Sequence, residues 1–353
     1  MTDFFCPEHG PPADPEDRFC EVCGRNLRTG EAAAQTAPPL PAPRPSTPAP
    51  LPWLSSRAGD GACAGCGARV PAGGYCDDCG RRRAMGSEHA ELELPAEPTG
   101  GPAAGAIAAV TDKARRPRNE DAVAIGRHGD TTVAIVCDGV STSTRADTAS
   151  HAAVEAGMHA LLGALADGAD AAEASRRGAR AASSAARGTG RPEDGDSPPS
   201  CTYVSAVVTG EEVTVGWVGD SRAYWLGPQE RCLTVDDSLA GRLAAGMAVP
   251  PGLADADPRS RALIRWLGVD ADGEDPQVVT VRPAGPGPVV VCSDGLHYYL
   301  PEAADMAKAA AALGPAPLTV AQGLLRYALD AGGHDNIAVA VLPFPPNEIG
   351  VQP

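Results

Sequence analysis

From about residue 104 to 343 the chain switches repeatedly between two hydrophobic patterns. Short runs rich in Val, Ile and Ala, at Thr132–Cys137, Tyr203–Val208, Val213–Val218, Val289–Cys292 and Ile337–Leu342, read as buried strands. Thr209-Gly210-Glu211-Glu212 between the second and third of these predicts a hairpin. Longer Ala-rich stretches, Ala146–Leu165 and Ala169–Arg187, are predicted helices. Leu239–Met247 and Ala303–Leu313 read as short helices, and Leu318–Ala331 as a helix stopped by Gly332-Gly333. Gly188–Ser200, with its Gly, Pro, Asp and Ser, reads as a loop.

Four of the strand-like runs abut an aspartate. Thr132–Cys137 leads into Asp138-Gly139, and Val213–Val218 into Gly219-Asp220-Ser221-Arg222. Val289–Cys292 leads into Ser293-Asp294-Gly295, while Asp335-Asn336 opens Ile337–Leu342. Acids gathered at strand ends repel one another unless protons or cations neutralise them. An oxygen-only ligand set suits Mg²⁺ or Mn²⁺.

The first hundred residues have a different texture. Residues 29–60 are Pro/Ala-rich and 83–103 are acidic with Pro and Gly, so both are expected to be linkers. They separate two cysteine modules, 1–28 and 61–82, from a domain expected at 104–343, and 344–353 is expected to be a tail. Seven of the 11 cysteines fall before residue 80. Cys63-x-x-Cys66 and Cys76-x-x-Cys79 have the spacing of a structural zinc ribbon. Cys6, His9, Cys20 and Cys23 form a less regular Cys₃His set. Neither module has the bulk to fold without its metal; docking to another protein or oligomerisation is the expected role, with nucleic-acid binding as the runner-up.

Net charge is −16, from 45 acidic and 29 basic residues, which argues against a nucleic-acid-coating protein. Met1-Thr2-Asp3-Phe4-Phe5 lacks the basic start and apolar run of a signal peptide, and no stretch is long enough to span a membrane. A cytoplasmic protein is expected, with no nucleic-acid or membrane partner. Aromatics make up only 4 %, so the core must be built from Ala, Val and Leu.

Glu120 and Asp121 join the acids at 138, 294 and 335 as candidates for one cluster. Two divalent ions held by such a cluster would lower the pKa of a shared water for attack on phosphorus. Arg116, four residues before Glu120, is the natural phosphate fork.

Five motifs occur in order: Arg116-x-x-Asn119-Glu120-Asp121-Ala122, Asp138-Gly139, Gly219-Asp220-Ser221-Arg222-Ala223-Tyr224, Ser293-Asp294-Gly295-Leu296 and His334-Asp335-Asn336-Ile337. In these the chain resembles the metal-dependent serine/threonine protein phosphatases of the 2C type, the PPM family, in their bacterial form. The resemblance covers about residues 104–343. It implies an α/β (α+β) fold: a four-layer αββα sandwich of two antiparallel sheets flanked by helices, here preceded by two small zinc ribbons.

It further implies that Asp138 bridges two Mn²⁺ or Mg²⁺ ions and that Asp294 and Asp335 bind the first. Glu120 and the Gly139 carbonyl would serve the second, with Asp121 behind them. Arg116 would hold the substrate phosphate, and Asp220 resembles a ligand of a weaker third metal. No phosphoenzyme is implied. The expected substrates are phosphorylated proteins, with a cognate Ser/Thr kinase or its substrates as partners.

Some positions depart from the family pattern. Val140-Ser141-Thr142 replaces a glycine-rich turn, and Val140 replaces a histidine proposed as proton donor in eukaryotic members. Tyr298 stands where an acid is usual, with Asp255 or Asp257 as possible substitutes at the third metal. His297 and His334 read as turn residues, and Cys137, Cys201, Cys232 and Cys292 as small core residues. The alternative reading is a weak or inactive phosphatase-like scaffold that recruits partners through its ribbons.

Overall fold

The computed structural model describes residues 53–56, 88–96, 105–247, 262–271 and 275–345. Both cysteine modules, with Cys6, His9, Cys20, Cys23, Cys63, Cys66, Cys76 and Cys79, lie outside the described residues, as do Asp255 and Asp257.

In chain order the strands begin β1 (Trp53–Ser55), β2 (His89–Leu94), β3 (Ile107–Asp112), β4 (Ala122–His128) and β5 (Thr131–Cys137). Two helices follow, α1 (Ala146–Ala166) and α2 (Ala171–Arg187). Then come β6 (Ser200–Cys201), β7 (Tyr203–Val208), β8 (Val213–Val218), β9 (Arg222–Trp225), β10 (Arg231–Cys232) and α3 (Leu239–Ala244). The rest comprises β11 (Leu267–Gly268), β12 (Gln277–Val281), β13 (Gly287–Cys292), α4 (Asp294–His297), α5 (Ala303–Ala311), α6 (Pro317–Ala331) and β14 (Ile337–Phe344).

The long strands form two antiparallel six-stranded sheets, ordered β1-β4-β5-β7-β8-β12 and β10-β9-β13-β14-β3-β2, and β6 pairs with β11 in a small ladder. Pleating explains why the central strands are apolar throughout: each sheet is covered on both faces. On β5, Val133, Ile135 and Cys137 pack with α1 and α2, while Ala134 and Val136 point between the sheets. On β14, Ala338, Ala340 and Leu342 fill the inter-sheet layer, and Ile337, Val339 and Val341 meet α5 and α6. The result is helix, sheet, sheet, helix around three apolar layers.

Asp170 caps α2 by accepting the Glu173 N–H at 2.7 Å, and α6 ends at Gly332 and Gly333, both at positive φ. The helices and the β7–β8 hairpin therefore lie where the pattern placed them. The expected linkers differ. Trp53–Ser55 pairs with β4 as one sheet's edge, and His89–Leu94 pairs with β3 as the other's. Both sheets thus draw on residues before 104. The reason is local: β1 has three residues and β2 reads His-Ala-Glu-Leu-Glu-Leu, too short and too polar to stand out from a linker.

Candidate active site

The acids collect at one end of the sandwich because four strand ends open there. Asp138 follows β5 and is fixed by its backbone: its N–H donates to the Thr202 hydroxyl at 3.0 Å, and its carbonyl accepts the Thr202 N–H at 2.7 Å. Thr202 is held in turn by the Ser221 hydroxyl at 2.7 Å, which ties this turn to the Gly219-Asp220 turn. Gly139 faces the backbone of Glu120; a Cβ there would lie 2.8 Å from the Glu120 carbonyl oxygen and 2.8 Å from the Ala146 Cβ. Only glycine lets the two acid-bearing segments approach so closely.

Asn336 is the buttress between the other two. Its side-chain oxygen accepts the Glu120 N–H at 2.8 Å, while its amide donates to the carbonyls of Lys113 (2.9 Å) and Arg118 (2.8 Å). Asn119 acts similarly, donating to Thr111 at 2.9 Å and accepting the Asp121 N–H at 3.2 Å. Asp294 opens α4 behind Ser293, whose hydroxyl accepts the Ala338 N–H at 2.9 Å. A Cβ on Gly295 would fall 1.9 Å from the Asn336 carbonyl oxygen, so α4 and the start of β14 are packed backbone to backbone.

Arg116 reaches across to Asp335, donating from Nε at 2.8 Å and from Nη2 at 3.3 Å, and also donates to the Ser141 hydroxyl. Its side chain stays 33 % exposed.

The electrostatics of this end are one-sided. Burial pushes the Asp138 carboxyl well above the usual carboxylate range, and Asp121, Asp294, Asp335 and Asp220 each push it further. Burial likewise drives Asp121 well up, with Asp335 and Asp294 adding to it. Asp220 is raised to about 8 by burial, then by Asp294 and Asp236. Glu120 is raised by burial, against the pull of Arg116 and Arg118. Both carboxyl oxygens of Asp121 are buried without a hydrogen-bond partner.

Buried acids with orphaned oxygens and mutual repulsion are a poor resting arrangement for a protein alone. They suit hard divalent cations, whose charge reverses the sign of every one of these interactions. Among the described residues no three acidic, His or Cys side chains already stand as a closed metal cage. Asp335 is turned to Arg116 instead. The donor chemistry nevertheless fits Mg²⁺ or Mn²⁺.

Several residues here escaped the sequence reading. Asp147, in the first turn of α1, is 5 % exposed and raises Glu120. Ser141, inside the departing turn, is the Arg116 acceptor. His297 is no surface turn residue: it is 5 % exposed, and its Nε2 lies 2.9 Å from the Asp220 carbonyl. His334 sits in an aromatic group with Tyr298 and Tyr299, its Nδ1 2.6 Å from the Tyr299 hydroxyl. Burial lowers its pKa. Cys137, Cys201 and Cys292 are buried, and Cys232 is half-buried.

Comparison with known proteins agrees with this geometry. A serine/threonine phosphatase stp of Listeria welshimeri is 33 % identical over 145 residues, which is 40 % of this chain and 55 % of that protein. The chain thus spans about half the length of the curated relatives it matches. A solved bacterial serine phosphatase superposes with a TM-score of 0.55 at 20 % identity, covering 67 % of this chain and 96 % of that one. Stp1 from Staphylococcus aureus does so with a TM-score of 0.54 at 19 % identity, covering 74 % and 97 %. These two share the fold. The family model described as Protein phosphatase 2C matches residues 113–318, more than half of the sequence, and the chain belongs to that family.

Proposed function

We propose that this chain is a Mn²⁺- or Mg²⁺-dependent phosphatase that hydrolyses phosphoserine and phosphothreonine in proteins. The observation that carries the reading is the crowding of Asp121, Asp220, Asp294 and Asp335 about the buried Asp138. Asp138, Asp294 and Asp335 would hold one cation; Asp138, Glu120 and the Gly139 carbonyl would serve the other; Asp121 would back them, and Asp220 is the candidate for a third. Bound there, the cations supply Lewis acidity and lower the pKa of an attacking water, so no phosphoenzyme is needed.

The chain's own groups then orient the substrate. Arg116 offers a planar fork to two phosphate oxygens, and Ser141 steadies it. Asn336 and Asn119 fix the backbone that carries Glu120 and Asp121. Val140 has no proton to give, so solvent protonates the leaving alkoxide.

The test is hydrolysis of a phosphothreonine peptide by the full chain, titrated with Mn²⁺ after chelation, beside Asp138→Ala. The variant should lose turnover by about a thousandfold or more while its melting curve stays cooperative. Full activity in the variant would refute the assignment. No activity in the folded native chain would restore the scaffold reading.

The reading extends to the two amino-terminal cysteine modules. Cys6, His9, Cys20 and Cys23 hold one structural Zn²⁺, and Cys63, Cys66, Cys76 and Cys79 a second. In the cytoplasm these modules dock the enzyme on a cognate kinase or phosphorylated adaptor, raising the local substrate concentration. Two zinc ions per chain by elemental analysis would support this. A truncation that tests docking must stop before Trp53, because β1 and β2 belong to the sheets.

A further inference from the structure

Beside the Asp138 turn lies a cavity of about 390 Å³. One wall is Val140 and Thr142, the residues on either side of the Arg116 acceptor Ser141. Leu263 and Trp266 also line it, as do the carboxylates Asp196 and Asp270. Among the described residues that line it, none is basic.

The walls are built into the fold rather than draped over it. Val140 N–H donates to the Ser200 carbonyl at 3.0 Å, and Thr144 N–H to the Ser197 carbonyl at 2.9 Å. The β6–β11 ladder pairs Cys201 with Leu267, and Gly139 bridges to Cys201 on the other side. A short lattice therefore runs from the Gly139 turn, through Cys201, to the segment that carries Trp266. The indole is held in place, its Nε1 donating to Asp270 Oδ1 at 2.9 Å.

A slot lined by aliphatic groups, an aromatic ring and two carboxylates matches one kind of side chain. It must be long and apolar along its stem and cationic at its end. Arginine fits best, since its guanidinium can lie against an indole and fork to a carboxylate at once. We infer that this cavity receives a basic side chain, arginine above all, flanking the phosphorylated residue of the substrate protein. At 3.3–3.6 Å per extended residue, a slot this close to the Asp138 turn is reached from within about three positions of the phosphoresidue. The inference rests on the phosphatase reading and gives it a substrate class: phosphoproteins with arginine near the phosphosite. It also assigns the departing Val140-Ser141-Thr142 turn a task, with Ser141 facing Arg116 and its two neighbours facing the peptide.

The test compares two phosphothreonine peptides, identical except for arginine or glutamate at the flanking positions, with the full chain and Mn²⁺. The arginine peptide should have a kcat/KM about tenfold or more higher, given one cation–π contact and one charge-assisted contact. In Asp196→Asn and Trp266→Phe the arginine-to-glutamate ratio should fall toward one. This ratio does not depend on how much of a variant is folded. Equal kcat/KM for the two peptides, with both hydrolysed, would overturn the inference and leave the phosphatase reading intact. If neither peptide nor para-nitrophenyl phosphate is hydrolysed, the phosphatase reading fails, and fluorescence anisotropy of labelled peptides decides on the cavity alone. Preference for arginine there, lost in Asp196→Asn, would support it, and equal binding would overturn it.

Discussion

Two buried acids in this molecule are treated in opposite ways. Asp237 has no exposed side-chain surface, yet its oxygens accept from Arg242 (3.1 Å), Arg265 (3.1 Å), Gln277 (3.0 Å) and the Gly219 N–H (3.2 Å). Burial raises its carboxyl, and Arg265, Gly219 and Arg242 pull it back. Asp121, also buried, meets the Ser293 hydroxyl but no arginine among its main neighbours, and Asp138, Asp294 and Asp335 crowd it. The first carboxylate is neutralised by the protein and holds structure: it ties α3 and β12 to the turn before Asp220. The second has no basic side chain among its main electrostatic neighbours, an arrangement that a divalent cation would relieve.

That contrast can be broken from either side. Asp237→Ala removes a carboxylate shared by two mostly buried arginines, and should cost about 3 kcal/mol of folding stability in urea unfolding, with or without Mn²⁺. A loss below about 1 kcal/mol would mean that water already does the work of Asp237. Asp121→Asn should act with the opposite sign. In chelator it removes an acid crowded by Asp138, Asp294 and Asp335 and should raise stability by about 1–2 kcal/mol, while the stabilisation by added Mn²⁺ shrinks. If the variant is less stable in chelator, Asp121 is not the strained group described here.

The smallest effect concerns an acid of intermediate kind. Asp112 on β3 is paired with His89 on the β2 edge strand, Nδ1 to Oδ2 at 2.8 Å. The hydrogen bond to Asp112 raises the His89 pKa, against burial. The stability it adds is therefore complete below pH 6.5 and disappears as pH rises through the higher folded value. His89→Gln should cost about 0.5 kcal/mol at pH 6 and nothing at pH 9. A cost independent of pH would show that the ring merely packs.

Much of the site was legible because metal chemistry narrows the choice of residues. Asp138, Asp294 and Asp335 each sit at the end of a strand whose apolar run is plain in the sequence, and Gly139 and Gly295 mark turns that tolerate no side chain. Asp237 was not legible as a charged hub, since Arg242, Arg265 and Gln277 come from separate elements and no spacing links them. His297 looked like a turn residue because one residue says nothing of the turn packed over it.

Local pattern by itself determined the helices, the β7–β8 hairpin, the strand-end acids and the cysteine pairs, because each depends on neighbours a few residues apart. Tertiary structure alone decided that Trp53–Ser55 and His89–Leu94 close the sheets, that Arg116 meets Ser141 and Asp335, and that Trp266 and Val140 line one cavity. These contacts join residues far apart in the chain. Their free energy comes from pairing and burial that exist only once both sheets are assembled.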